Sequence, residues 1–164
     1  MSHFTTIRTQ LTDKDALAQG LENLLKEKGI TAVVEVLHKA TLLINEFEED
    51  DERYGEIIVR RNYLSTEEYS AKVDVGYLWN EALLKFELQT DPYDFKYNLL
   101  GKTFGTIENF NNAVQLAHDK IRLYEELRVN YPVTEWVYGE ETVSKDGTIT
   151  LEITKKPDLM AAWF

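Results

Sequence analysis

The sequence has no cysteine and few basic residues. The absence of cysteine excludes disulfide bonds, thiolate metal sites and a cysteine nucleophile. Only 18 lysines and arginines stand against 29 aspartates and glutamates, so the formal net charge is −11. Such a surface repels phosphate backbones and anionic membranes, and Arg60-Arg61 is too short a basic patch to overcome this repulsion. We therefore expect neither nucleic acid nor membrane as a partner; a basic protein partner, or solubility alone, accounts for the charge.

Long hydrophobic runs and a signal sequence are also missing. No stretch approaches the ~20 apolar residues that span a bilayer. Residues 1–6 have neither the basic start nor the apolar run of a signal peptide. These features predict a cytoplasmic protein. In contrast, 43% of the residues are hydrophobic, and 3 Trp, 9 Tyr and 7 Phe supply the apolar area that one folded domain of this length needs.

Two segments have the apolar spacing of amphipathic helices. The first helix is predicted from Asp13 to Lys28, with Thr12 as its cap and Gly29 closing its end. The second runs from a cap at Thr106 to about Arg128, and Pro132 prevents its continuation.

The other regular segments have the pattern of strands. One strand precedes the first helix, five follow it, and a hairpin around Asp146-Gly147 comes last. The predicted strands are Ser2–Leu11, Ile30–Leu37, Thr41–Phe47 (alternatively a short helix), Glu56–Arg61, Ala71–Trp79, Leu83–Thr90, Val133–Val143 and Thr148–Thr154. Strands that follow one another without intervening helices favour antiparallel pairing.

The order β-α-β-β-β-β-β-α-β-β predicts an α+β fold. We expect a mainly antiparallel sheet that two amphipathic helices cover on one face. No internal repeat or low-complexity linker marks a boundary, so residues 1–156 are predicted to form a single domain and residues 157–164 an apolar tail.

Aromatic and apolar side chains suggest where a partner would bind. Residues 91–105 lack a regular pattern and are predicted to be an irregular surface segment. Large aromatic side chains anchor protein partners, but they also fill cores. The tail poses a similar choice, between docking on its own domain and filling a groove of another chain. The candidate partner-binding residues are Tyr93, Phe95, Tyr97, Phe104, Leu159, Met160, Trp163 and Phe164.

A polar row runs along the second helix beside its apolar face. It consists of Asn111, Gln115, His118 and Arg122, spaced by three and four residues. His118 would suit acid–base chemistry if this row lined a pocket. The plainer interpretation is the solvent-facing side of an amphipathic helix.

No motif for a metal or cofactor is present, and we expect none. His3, His38 and His118 lack metal-binding spacing. Gly101-Lys102-Thr103 resembles the end of a phosphate-binding loop, but Lys96 stands where that loop requires glycine. The acidic run 46–52 lacks the ligand pattern of a calcium loop.

Three segments resemble a known family. They are Met1-Ser2-His3-Phe4-Thr5-Thr6-Ile7-Arg8-Thr9-Gln10, Val73-Asp74-Val75-Gly76-Tyr77 and Asp146-Gly147-Thr148-Ile149-Thr150-Leu151. In this order they resemble the uncharacterised hypothetical chloroplast reading frame 35 family of cyanobacteria, cyanophages and algal plastids. Residues 39–52, residues 91–105 and the tail depart from its pattern. The resemblance implies a photosynthetic-cell or phage setting, in the cytoplasm or the plastid stroma, but no activity and no catalytic residue.

These observations favour a non-enzymatic protein-interaction or adaptor module. One alternative is a small enzyme or ligand-binding domain with its pocket near His118. Another is a homo-oligomeric structural protein, which would associate with itself and with no other partner.

Overall fold

A computed structural model describes residues 5–47 and 51–157 of the chain. The elements, in chain order, are β1 (Thr5–Leu11), α1 (Lys14–Glu27), β2 (Val34–Leu42), β3 (Tyr54–Val59), β4 (Val75–Asn80), β5 (Lys85–Thr90), α2 (Pro92–Tyr97), α3 (Leu99–Phe104), α4 (Ile107–Asn130), β6 (Trp136–Val143) and β7 (Ile149–Lys155). The contacts divide the chain into two compact units, Met1–Asp119 and Lys120–Phe164, and α4 runs through the boundary. A single domain over residues 1–156 stays a prediction.

The first unit contains a five-stranded antiparallel sheet in the order β1-β5-β4-β3-β2, packed against helices. The α+β prediction, with an antiparallel sheet, is therefore confirmed. The main core lies between one face of the sheet and the helices. Its buried side chains include Ile57, Val59, Val75, Tyr77, Phe86 and Leu88 of the sheet and Leu17, Leu21 and Leu25 of α1. Leu43, Ile58 and Val73 form a smaller second cluster.

Helix α1 is one residue shorter at each end than predicted and has a different cap. Asp13 is the N-cap, because its side chain accepts a hydrogen bond from the amide of Ala16 over 3.0 Å. The predicted cap, Thr12, lies one residue earlier. Gly29 ends the helix with φ of +76°, a conformation that glycine adopts at little cost.

The two strands predicted for residues 30–47 are wrong in their division. The amide of Ile30 bonds to the carbonyl of Leu25 over 2.8 Å, so the buried Ile30 is part of the cap that follows α1 and does not begin a strand. A single strand, β2, follows from Val34 to Leu42. Residues 37–40 form an irregularity in it, because Val36 pairs with Ile57 whereas Thr41 pairs with Gly55.

Residues 91–105 form two short helices, so the predicted irregular segment is also wrong. Asp91 caps α2 by accepting bonds from the amides of Tyr93 (2.9 Å) and Asp94 (3.0 Å), and Pro92 occupies the first helical position. Asn98 caps α3 in the same way, through the amides of Leu100 and Gly101. The polar residues that suggested a loop are therefore helix caps.

Helices α1 and α4 approach each other closely at Gly20. A Cβ atom on Gly20 would lie 2.9 Å from the carbonyl carbon of Ala117 and 2.9 Å from the amide nitrogen of His118. Only glycine therefore fits at this crossing without a shift of one helix.

The second unit comprises the end of α4 and the hairpin β6–β7. The predicted hairpin is confirmed, with Gly147 at φ of +87° in its turn, although β6 begins at Trp136 rather than Val133. Among the described residues, no helix is long and apolar enough to cross a membrane.

Candidate protein-binding surface

The structure places His118 in the interior of the first unit. Its side chain is 1% exposed. Its Nε2 accepts a hydrogen bond from the amide of Asp13 over 3.2 Å, and its Nδ1 lies 2.9 Å from Oδ1 of Asp119. An acceptor at Nε2 requires the proton on Nδ1, so the ring is the neutral Nδ1–H tautomer and donates to Asp119. The contact at Nε2 therefore holds the start of α1 against α4, whereas the contact at Nδ1 lies within α4.

The other members of the polar row do not form a pocket with His118. Gln115 accepts a bond from the amide of Gln10 over 2.9 Å and donates to Asp119 over 3.1 Å. Oδ1 of Asn111 is buried without a partner in the structure. Arg122 lies in the second unit, with its guanidinium 3.9 Å from Glu126. Gln115 and His118 together stabilise the junction between α4 and the segment from β1 to α1.

Two surface hollows of the first unit lie elsewhere. One, of about 190 Å³, is lined by Thr9, Gln10, Leu83, Lys85 and Glu87. The other, of about 210 Å³, is lined by Glu22, Lys26, Gly29, Ile30, Thr31 and Ala32. Both are smaller than the ~300 Å³ at which ligand pockets usually begin. Within residues 5–47 and 51–157, no group of three or more histidines and carboxylates is placed to hold a metal ion.

The aromatic residues of the segment 91–105 divide into two groups. Phe95 is 2% exposed and packs against Phe110, so it belongs to the core. Phe104 also packs on Phe110, with ring centroids 5.2 Å apart. Tyr93 and Tyr97 point the other way and are 55% and 53% exposed. The spacing of four residues on α2 places these two tyrosines on one helical face.

The exposed rings of Tyr93 and Tyr97 and the partly buried ring of Phe47 form a cluster that we call the aromatic patch. The ring centroids of Tyr93 and Tyr97 lie 5.1 Å apart at 58°, and those of Phe47 and Tyr93 lie 6.2 Å apart at 71°. Phe47 was not among the predicted site residues, because residues 41–47 have the pattern of a strand. Its position directly before an acidic run is the one sequence signal that could have drawn attention to it.

The base of the patch is held by a buried carboxylate. Asp94 is 3% exposed and accepts hydrogen bonds from the amides of Lys72 (2.8 Å) and Val73 (3.1 Å). Burial raises the pKa of Asp94, and the backbone hydrogen bonds oppose this effect. These bonds connect α2 to the segment before β4, so Tyr93 and Tyr97 stand on a fixed support.

The first unit as a whole has an excess of negative charge. Residues 1–119 contain 12 lysines and arginines and 21 aspartates and glutamates, a formal charge of −9. Five consecutive acidic residues follow Phe47 in the sequence, of which the structure describes Asp51 and Glu52. The ammonium of Lys96 lies 6.0 Å from the ring centroid of Tyr97, at the outer limit of a cation–π contact.

The remaining candidate residues lie outside the described part of the chain. These are Leu159, Met160, Trp163 and Phe164 of the tail. Of the eight predicted partner-binding residues, the structure therefore brings Tyr93 and Tyr97 together on the surface.

No family model, no curated protein and no solved structure matches this chain. The resemblance to the chloroplast reading frame family stays a prediction, and the functional argument depends on the geometry of the chain itself.

Proposed function

We propose that this protein is a non-enzymatic protein-interaction module that binds its partner through the aromatic patch. The observation that carries the proposal is the pair Tyr93 and Tyr97, two contacting rings that are each more than half exposed on a supported helix. Rigid aromatic side chains bury a large area at small entropic cost, which is why they are enriched where protein partners bind.

A protein partner suits this surface better than a small molecule. A small ligand needs a concave site that buries most of its surface. The patch instead consists of two exposed rings on one face of α2 and the adjoining ring of Phe47, which an extended or helical segment of another chain would cover. The alternative site near His118 lacks support, because both ring nitrogens make hydrogen bonds within the fold and the side chain is 1% exposed.

The partner segment is expected to carry arginine beside an apolar residue. A guanidinium stacks on tyrosine rings, and such a contact contributes roughly 0.5–1 kcal/mol at an exposed site. The formal charge of −9 on residues 1–119 attracts a basic segment over longer distances and raises its association rate at low salt. An acidic segment would be repelled by the same field.

The test is a fluorescence polarisation titration with three labelled peptides that differ only in their charged residues. The peptides carry arginine, lysine or glutamate in otherwise identical sequences that include leucine. We expect the arginine peptide to bind most tightly and the glutamate peptide not to bind. The double variant Tyr93→Ser/Tyr97→Ser should weaken the binding of the arginine peptide at least about tenfold, which corresponds to ~1.4 kcal/mol.

A matched control distinguishes binding through the aromatic patch from binding through the general negative charge of the surface. The double variant Val36→Ser/Leu84→Ser removes two apolar side chains that are 51% and 59% exposed, and it leaves the net charge unchanged. This control should bind the arginine peptide like the unaltered protein. Equal binding by both double variants would show that the acidic surface alone attracts the peptide, and the proposal would be wrong.

A further inference from the structure

The second unit has little interior of its own. Every described residue of 120–157 is at least partly exposed, including Tyr124, Trp136 and Tyr138. Some of its apolar side chains are more exposed still: Val129 is 81% and Val137 is 51% exposed. A two-stranded hairpin is at best marginally stable alone, and a unit this small rarely builds a sufficient core. The unit therefore has apolar surface that association would cover.

Strand β7 offers an open edge for such association. Among the described residues it pairs with β6 and with no other strand. The amide of Lys156 bonds to the carbonyl of Glu135, and the carbonyl of Thr148 accepts from the amide of Ser144. Even-numbered residues of β7 thus direct their backbone groups toward β6. Since these directions alternate along a strand, the backbone N–H and C=O groups of Ile149, Leu151 and Ile153 face the open edge.

Strand β7 contains neither a bulge nor a proline that would prevent pairing at its open edge. In the first unit the edge strand β2 is interrupted at residues 37–40, where His38 and Lys39 are exposed. In the hairpin the extra residue lies in β6, where Gly139 and Glu140 stand opposite Glu152, so β7 itself is regular. Strand β7 alternates Ile149, Leu151 and Ile153 with threonine and glutamate and contains no proline. This is the pattern of a strand that accepts a neighbour.

We propose that β7 pairs antiparallel with β7 of a second copy of this chain. The product is a four-stranded sheet in the order β6-β7-β7-β6, with the half-buried apolar faces of both hairpins continuous across the join. Three or more strands with an apolar face are what a stable sheet needs. The proposal is independent of the aromatic patch.

The side chains favour a register of this pairing that is centred on Leu151. A two-fold axis through Leu151 places Leu151 opposite its own copy, Ile149 opposite Ile153, and Thr150 opposite Glu152. Both threonine–glutamate pairs then lie on the exposed face. A shift that centres the axis on Glu152 would set two carboxylates directly opposite each other, which is unfavourable.

The small net charge of the second unit favours a second copy of this chain as the partner of β7. Residues 120–164 contain 6 lysines and arginines and 8 aspartates and glutamates, a formal charge of −2, against −9 for residues 1–119. Two copies therefore meet with little repulsion through this unit. A strongly charged partner would gain little electrostatic attraction from a unit with so small a net charge.

The experiment measures the mass of the full-length chain by analytical ultracentrifugation over a range of concentrations. We expect a concentration-dependent dimer. In the selected register Thr150→Glu sets a second carboxylate opposite Glu152 at two symmetric places, so it should weaken the dimer at least about tenfold, since like charges directly opposite are destabilising. Thr150→Lys creates opposite-charge pairs at the same places and should retain or strengthen the dimer.

Thr154→Glu is the matched control, because residue 154 is equally exposed and lies opposite Thr148 in this register. It should leave the dimer unchanged, and circular dichroism should show that all three variants are folded. A monomer at all concentrations overturns the proposal. So does a dimer that Thr150→Glu and Thr154→Glu affect equally, since another surface or another register would then hold it.

Discussion

The amide of Asp13, the residue that caps α1, donates a hydrogen bond to Nε2 of His118 over 3.2 Å. The two residues are 105 positions apart in the sequence. The bond joins the first turn of α1 to the middle of α4, where His118 is almost fully buried. A residue that the sequence suggested for acid–base chemistry therefore has a structural role at a helix junction.

Replacing His118 should reduce stability. His118→Phe keeps an aromatic ring but leaves the partly buried Asp13 amide without its acceptor, which should cost about 1–3 kcal/mol. Urea denaturation, followed by tryptophan fluorescence, measures the change in the free energy of unfolding. The same substitution at the exposed His38 should change that free energy by less than about 0.5 kcal/mol. Equal effects at both positions would contradict the structural role of His118.

Gly20→Ala should destabilise the first unit although alanine favours helices. The new Cβ would lie 2.9 Å from backbone atoms of Ala117 and His118, so α1 or α4 must shift. Overpacking of this kind costs about 1–3 kcal/mol, against a gain of ~1 kcal/mol in helix propensity. Thermal unfolding of Gly20→Ala beside Glu22→Ala, an exposed position on the same helix, measures the difference. A stability of Gly20→Ala at or above that of Glu22→Ala would show that the helices are not closely packed here.

Replacing Asp74 should destabilise the protein far more than replacing the exposed Glu46. Asp74 is fully buried and accepts bonds from the amides of Ile44 and Arg61 and from the guanidinium of Arg60, each over 2.8 Å. Asp74→Ala leaves the two amides without their acceptor, which should cost about 1–3 kcal/mol for each, whereas Arg60 keeps its ion pair with Glu35 over 2.6 Å. Glu46→Ala breaks an ion pair with Arg61 of 3.0 Å at a side chain that is 41% exposed, so denaturant unfolding should change little. Similar losses in the two variants would contradict this assignment.

The hairpin turn should lose stability in acid. Asp146 accepts hydrogen bonds from the Ser144 hydroxyl and the Thr148 amide, and these lower its pKa from 3.8 to about 2. A lowered pKa in the folded state means that the contribution is fully present above pH ~4 and is lost as the pH falls toward 2. NMR titration of the Asp146 carboxyl carbon measures this pKa directly. A pKa near 3.8 would show that these hydrogen bonds do not stabilise the ionised carboxylate in the turn.

Local patterns predicted the parts of the fold that local interactions form. The two long helices have clear apolar spacing, and Asp146-Gly147 identifies the hairpin turn. The division of residues 30–47 failed because Ile30 bonds back to Leu25 and because residues 37–40 interrupt β2. Asp91-Pro92 combines a helix cap with a favoured first helical residue, and this signal could have predicted α2.

The candidate site was harder to predict than the fold. The helical spacing of Tyr93 and Tyr97 separates them from Phe95, but this spacing has meaning only where residues 92–97 form a helix, and the sequence predicts an irregular segment there. The burial of His118 depends on a partner 105 residues away, which no local pattern reveals. Phe47 joins the patch only through the tertiary position of the segment after β2.

The most direct test of the proposed function is to locate the bound arginine peptide by NMR. Backbone amide signals of the isotope-labelled protein would be followed during titration with the unlabelled peptide. Our account predicts shifts that saturate and are largest in residues 91–97 and at Phe47, and that disappear in Tyr93→Ser/Tyr97→Ser. Shifts confined to other acidic surfaces, with residues 91–97 unchanged, would contradict the aromatic patch as the binding surface.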